Sequence, residues 1–566
     1  MSAPVRPAAE APSVAAPAAP GSGGRRPLWV WAVPFTAWLA VLLVRNSYLF
    51  SRPVYEDADQ GADSVLIEQA RHFSLLIGNY SRVGFNHPGP AFMYVQSWGE
   101  SLFWAAAHVV PAPWNGQMIG VYALNALFVA FVVAACYGWT RSLTGALLAC
   151  AAAALLGALH PQVYSSDWNP YVYVPAYFAF AVAIASVAAG RVADLWIAAL
   201  SGWFLIHGHV CFLLFVPALT GCAAVALGWQ HRRQPGRALW SFLATQRRAW
   251  LPAVAISALF ALPIALELAL HWPGNFGKYL TYSSSDKAGG HGIGQDVQYA
   301  LWYWWPRAGA WAVAVAVYAV AAAATWRMPS GGYGGTLRSP PRGTAAPARR
   351  FAASLLAFAA LSTAALLVYA ATGVDTLQAR YIGFFYWTVP VTVLLALALA
   401  VASRPPSRVA LGAAAAAAAT ALALFAAAPA TRVTTSVLAP NGHVNGVDSD
   451  PGLPAAVARL AAGSGGRPIA LRVGNGAWLD MTGLLVQAQR TGVAMCLSDS
   501  RYEFMVTSQF TCDRAQLADG VRYWLVSWTG VPPRGTHVVL RLRWSFVTRL
   551  GAASRRDRRI AGPIGG

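Results

Sequence analysis

Apolar residues run almost unbroken over stretch after stretch between Leu28 and Ala428, and polar residues collect in the short segments between them. Continuous runs of this kind predict helices long enough to cross a bilayer. They exclude a transmembrane β-barrel, whose strands alternate apolar and polar positions. The first run, Leu28 to Leu43, follows Arg25 and Arg26 and precedes Arg45 and Asn46, without a small-residue cleavage site. It reads as a span and not as a secretory signal. Further spans are predicted at 117–139, 145–160, 171–190, 193–207, 210–229, 250–271, 308–326, 351–371, 382–402 and 409–429, about eleven with the first. Residues 88–110 contain Glu100, His108 and many aromatics. They are predicted as an amphipathic helix at the outer interface.

The pattern changes at both ends. Residues 1–24 are rich in Ala, Pro, Gly and Ser and are expected to form a disordered cytoplasmic N-terminus. From about Thr431 the runs shorten to strand length: Pro468 to Val473, Val493 to Leu497, Tyr523 to Val526 and Val538 to Leu542. A helical pattern from Leu479 to Arg490 ends at Thr491-Gly492. The expected fold class is an all-α polytopic membrane protein with a C-terminal extracytoplasmic α/β or α+β domain. Its transmembrane domain covers 25–430, with an acidic outer loop at 51–88, and its soluble domain covers 431–566.

Composition agrees: 57% of residues are hydrophobic and 11% charged, with a mean hydropathy of +0.46. The net charge of +20 would suggest nucleic acid in a soluble protein. Here it follows the positive-inside rule, and no nucleic-acid partner is expected. Arg141, Arg191, Arg232, Arg233, Arg237, Arg247, Arg248, Arg327, Arg338, Arg342, Arg349, Arg350, Arg404 and Arg408 fall in alternate connections, with Asp194 the acid among them. These connections are placed in the cytoplasm, and a cytoplasmic membrane is the expected location. Cys136, Cys150, Cys211 and Cys222 lie inside spans and read as packing residues. Cys496 and Cys512 fall in the outward domain, an oxidising setting, and are the disulfide candidates.

Acids are scarce, 21 in 566 residues, yet Glu56, Asp57, Asp59, Asp63 and Glu68 crowd one outer loop, followed by Arg71, Arg82 and His87. Carboxylates concentrated beside a bilayer suggest a general base or divalent-cation ligands. Asp63 stands where a helix N-cap is expected, and Asp167, in YSSDWNPYVYV, before another span. For both, capping is the competing explanation. His87-Pro88-Gly89-Pro90 forms a stiff turn. His207 and His209 have no evident companion ligands, and metal binding is left open. Ser283 to Gln295 is expected to be a mobile outer loop able to close over substrate.

The segments GADSVLIEQA and NYSRVGFNHPGPAFMY, with PGNFGKYL and ARYIGFFYWTVP further on, resemble the GT-C glycosyltransferases. The likeness is to the protein O-mannosyltransferase and lipid A aminoarabinose transferase group. It is best over residues 28–210. The resemblance implies a polyprenyl-phosphate-linked sugar donor and a glycan, glycolipid or protein acceptor on the outer face. One loop carboxylate would act as base, with Asp63 ranked first, then Asp59 and Asp57. Arg380, with Tyr381 and Lys278, would hold the donor phosphate, an interfacial snorkelling Arg380 being the alternative. Asp167, His87, Arg82 and Glu68 would bind or orient substrate. A transporter should carry polar residues near the bilayer midplane, whereas this chain concentrates them in outer loops. A non-catalytic binder of lipid-linked sugars is the remaining alternative. For a hydrolase or phosphotransferase there is no nucleophile motif.

Overall fold

The computed structural model describes residues 26–231, 244, 246–285, 289–328, 345–402, 408–429, 432–434, 446–531 and 536–550. The expectation for residues 1–24 lies outside them, as do Arg232, Arg233, Arg237, Arg338, Arg342 and Arg404. In chain order the helices are α1 (Trp29–Arg45), α2 (Ala58–Arg71), α3 (Ala91–Gly99), α4 (Pro113–Thr140), α5 (Leu143–Leu159), α6 (Asn169–Ala188), α7 (Leu195–Gly208) and α8 (Phe212–His231). There follow α9 (Arg247–Leu270), α10 (Gly274–Ser283), α11 (Ile293–Trp302), α12 (Ala310–Trp326), α13 (Ala345–Gly373), α14 (Thr388–Ala402) and α15 (Arg408–Ala427).

Among the described residues seven helices are long and apolar enough to cross a membrane: α4, α6, α8, α9, α13, α14 with the turn before it, and α15. Four shorter apolar helices, α1, α5, α7 and α12, accompany them. Each predicted span therefore has its helix. Helices α4 and α6 are almost wholly buried and form the centre of the bundle, whereas α9 and α15 are largely uncovered. Local sequence sets the starts. Pro113 opens α4, and Ser142 caps α5 by accepting the Thr144 N–H at 3.1 Å. One end of the bundle is tied by Arg26, which pairs with buried Asp194 at 2.5 Å. Arg191 joins them, 3.6 Å from Asp194, and donates to the Gly138 carbonyl at 2.8 Å. The segment read as an interfacial helix is α3, which continues as a π-helix over Glu100–Ala106. It is buried against α2 and α4.

The C-terminal unit contains β1 (Arg432–Thr434), β2 (Gly446–Asp448), α16 (Leu453–Ser464), β3 (Ile469–Val473), α17 (Trp478–Thr491), β4 (Met495–Leu497) and α18 (Glu503–Val506). It continues with α19 (Arg514–Asp519), β5 (Val521–Ser527), β6 (His537–Arg541) and β7 (Ser545–Arg549). The main sheet has the order β4-β3-β5-β7-β6. Strands β4, β3 and β5 are parallel, and β7 is antiparallel to β5 and β6. Cys496 and Cys512 form a disulfide, with Cα atoms 5.0 Å apart.

Helix α2 joins this unit to the bundle. Ala62 and Val65 enter the unit's hydrophobic core beside Met481, Leu484 and Leu485. The approach is close at two glycines. A Cβ at Gly61 would lie 2.7 Å from Thr482 Oγ1, and one at Gly483 would lie 3.0 Å from the Glu56 carbonyl oxygen. Thr482 Oγ1 donates to the Ala58 carbonyl at 2.9 Å. Gly61→Val is expected to push α2 off α17 at a cost of about 1–3 kcal/mol. Thermal unfolding of the purified protein, followed with limited proteolysis of the C-terminal unit, measures this. Unchanged melting and cleavage would contradict the packing described.

Candidate active site

Helix α2 distributes its acids over different faces. At about 100° per residue, Asp59 and Asp63 lie roughly 40° apart on one face, while Ala62, Val65 and Glu68 point elsewhere. Glu68 pairs with Arg490 at 3.1 Å and Arg71 at 3.2 Å. Glu56 pairs with Arg490 at 2.7 Å. Asp57 accepts from Trp544 Nε1 at 3.3 Å and lies 3.8 Å from Arg543. Three acids of the loop are thus engaged by the C-terminal unit, including Glu68, expected to orient substrate, and Asp57, a candidate base.

Asp59 and Asp63 turn toward the bundle. Asp59 accepts from Trp168 Nε1 at 2.9 Å and from the Tyr80 hydroxyl. Asp63 is buried and accepts from Asn169 Nδ2 at 3.0 Å, while its Oδ1 has no hydrogen-bond partner among the described residues. Asp63 is not an N-cap. Helix α2 begins at Ala58, with Asp57 in the cap position, and Gly61 is a packing glycine inside the helix. Phe73 lies beyond the helix at φ 55° and is exposed.

Asp167 is not a cap either: Trp168 occupies that position, and buried Asp167 accepts from Trp114 Nε1 at 2.7 Å. Asp59, Asp63 and Asp167 repel one another electrostatically. Burial, then the Asp59 and Asp167 charges, holds the Asp63 carboxyl well above its ordinary value. Burial raises Asp59 against the opposing hydrogen bonds from Tyr80 and Trp168. It also pushes Asp167 up to about 6.

A hairpin over residues 78–87 brings in further groups. Gly78 N–H bonds the His87 carbonyl at 2.9 Å, and His87 N–H the Asn79 carbonyl at 2.8 Å. This positions Tyr80 against Asp59 and pairs Arg82 with Asp375. His87 accepts the Val210 N–H on Nδ1 at 3.3 Å and stacks on His209 with ring centroids 4.2 Å apart. Burial, with the neighbouring His209, keeps its imidazole pKa well below the ordinary value. Helix α10 supports the hairpin: Asn275 Oδ1 accepts the Asn86 N–H at 3.1 Å, and the Tyr279 hydroxyl donates to the Asn86 carbonyl at 2.5 Å. Lys278 on the same helix is exposed.

Arg380 begins a 3₁₀ turn, Arg380–Trp387. Its guanidinium lies 5.2 Å from the Tyr299 ring centre and 5.5 Å from that of Trp302. Its Nη1 is buried without a hydrogen bond among the described residues. Tyr381 packs on Trp168 at 5.3 Å, so Trp168 links the carboxylate Asp59 to the Arg380 turn. Tyr80, Trp168 and Asn169, which complete the site, were not singled out in the sequence, although DWNP stood beside Asp167. The segment Ser283–Gln295 ends α10 and begins α11. Gly289 N–H and His291 Nε2 both bond the Val374 carbonyl, at 3.2 and 2.9 Å, and 286–288 lie outside the described residues. Among the described residues no three His, Cys, Asp or Glu side chains are grouped to hold a metal ion.

No protein-family model matches the chain, and no curated protein does. Solved structures do. ArnT from Cupriavidus metallidurans in the apo state superposes with a TM-score of 0.52 at 13% identity, covering 92% of this chain and 97% of that one. The chain shares the fold of that protein. ArnT bound to undecaprenyl phosphate gives a TM-score of 0.48 at 15% identity, covering 95% of this chain and all of that one. The shared fold extends over nearly the whole chain.

The raised Asp63 carboxyl has a consequence for stability. The folded protein keeps a proton there that the unfolded chain releases above about pH 4, so stability falls as pH rises through that window. Asp63→Asn keeps an acceptor for Asn169 and removes the penalty. Its melting temperature should match the parent near pH 4 and exceed it at pH 7.5. Lower stability than the parent at pH 7.5 would contradict the assigned environment.

Proposed function

We propose that this chain is a membrane glycosyltransferase that moves a sugar from a polyprenyl-phosphate donor to a hydroxyl of a cell-envelope glycan, glycolipid or protein. In this reading it sits in the cytoplasmic membrane, with the acidic loop and the C-terminal unit on the outer face. The GT-C fold supports the reaction class. The observation that carries the reading is the opposition of Asp59 and Asp63 on α2 to Trp168 and Asn169, with Trp168 leading to the Arg380 turn. It joins a proton acceptor to a cation suited to a phosphate.

Asp63 takes the proton of the acceptor hydroxyl on its unpartnered Oδ1. The acceptor oxygen attacks the anomeric carbon from the face opposite the phosphate, the bond from that carbon to the phosphate oxygen breaks, and the configuration inverts. The electron pair leaves with polyprenyl phosphate, whose charge Arg380 stabilises through its open Nη1. Asp59, held by Tyr80 and Trp168, keeps Asp63 basic once Asp63 is ionised. The raised Asp63 carboxyl places the base nearer working pH than a free aspartate.

Purified Asp63→Asn should lose about 10²–10⁴-fold in transfer of labelled sugar while remaining folded, and the parent rate should rise with pH as Asp63 ionises. Loss in Asp59→Asn with activity kept in Asp63→Asn would assign the base to Asp59. Arg380→Ala should weaken donor use by at least about tenfold, with Arg380→Lys restoring only part, because a buried charge-assisted bond is worth about 1.5–3 kcal/mol. Unchanged donor use in both would remove Arg380 from the phosphate site.

A further inference from the structure

Helix α11 carries Asp296, Tyr299 and Tyr303 at i, i+3 and i+7, on neighbouring positions of one face. Tyr299 lies under the Arg380 guanidinium, and the Tyr303 hydroxyl donates to the Arg380 carbonyl at 2.7 Å. Asp296 is 3% exposed, and its Oδ1 has no hydrogen-bond partner among the described residues. Capping of α11 does not explain this carboxylate. Gln295 does that work, with Oε1 accepting the Gly292 N–H at 3.1 Å. Buried polar groups are nearly always bonded, so an unmet acceptor and an unmet donor, Arg380 Nη1, around one tyrosine call for a ligand that offers both an anion and hydroxyl groups. Three residues, about 4.5 Å of helix rise, separate Asp296 from Tyr299, the α11 residue under the Arg380 guanidinium, a span comparable with a sugar ring.

We propose that Asp296 binds hydroxyl groups of the sugar on the polyprenyl-phosphate donor and sets which sugar the site accepts. This rests on the reading, proposed above, that the site takes a polyprenyl-phosphate-linked sugar. A carboxylate accepts hydrogen bonds from two adjacent sugar hydroxyls, and a site built to bond a hydroxyl discriminates strongly against a donor that lacks it. Asp296 therefore acts on donor choice, and Asp63 on proton transfer.

The experiment measures binding of undecaprenyl phosphate, and of its monoglycosyl derivatives carrying one hexose or one pentose, to the full-length parent, Asp296→Asn, Asp296→Glu and Arg380→Ala. Melting temperature checks folding. In Asp296→Asn, affinity for the preferred glycosyl derivative should fall at least about tenfold, with no fall for sugar-free undecaprenyl phosphate. Asp296→Glu, which keeps the charge but moves it, should alter the ratio between hexose and pentose donors. Arg380→Ala should lose both kinds of ligand. The inference is overturned if Asp296→Asn binds every ligand as the parent does, or loses sugar-free and sugar-bearing ligands equally. It is also overturned if Asp296→Asn and Asp296→Glu both fail to fold, which would make the carboxylate structural. If the parent binds none of the ligands, the donor reading fails and takes this inference with it. If only Arg380→Ala behaves as the parent, the phosphate assignment fails while the sugar contact at Asp296 stands.

Discussion

Arg490 reaches from the C-terminal unit into a nest of buried carboxylates, and the placement of α2 depends on it. It bonds Glu56 and Glu68 and lies 3.9 Å from Glu100. Arg71 ties Glu68 to Glu100, and Gln117 of α4 donates to Glu100 at 2.8 Å. Four segments that are distant in sequence converge there: the acidic loop, the π-helical turn, α4 and α17. Removing one partner from such a network leaves charges buried without compensation, typically at about 3–5 kcal/mol. Burial still pushes the Glu100 carboxyl up to about 7 despite Arg490. With α2 fixed on this side, its opposite face has a defined position over Trp168 and Asn169.

The same helix therefore carries acids of two kinds. Those matched with arginine hold the two bodies together. Those faced by neutral donors, Asp59 and Asp63, remain basic and costly to ionise. Their crowding with Asp167 destabilises the folded state near neutral pH, the kind of local penalty that active sites commonly retain. The bundle provides the surroundings: α4 and α6 lie buried at its centre, the hairpin over 78–87 supplies Tyr80, and the Arg380 turn supplies a cation.

The membrane architecture was legible because bilayer crossing imposes length and apolarity on each helix, and both are local properties. Four of the strands in the C-terminal sheet were legible as short apolar runs. Strand β7 was not, since Ser545, Thr548 and Arg549 dilute its alternation, although Val547 is wholly buried. Helix α16 went unnoticed among alanines, with Leu453, Val457 and Leu460 forming its buried stripe. The start of α2 was expected at Asp63 and lies at Ala58, and the approach of Thr482 explains the glycine at position 61 inside the helix. The concentration of acids was visible in the sequence. Their division was not, because Arg490 and Trp544, their partners, lie more than 400 positions away. Asp296 is a single acid without neighbours in sequence, and only its burial marks it.

The most direct measurement is transfer by the purified parent protein, using donors labelled in the sugar across a panel of polyprenyl-phosphate monosaccharides, with membrane extract as acceptor. The account predicts that label leaves at least one donor for an acceptor, in a linkage of anomeric configuration opposite to the donor's, with release of an equal amount of polyprenyl phosphate. Donors that bind and are recovered unchanged, or that cross vesicle membranes intact, would contradict it and identify a binder or a transporter.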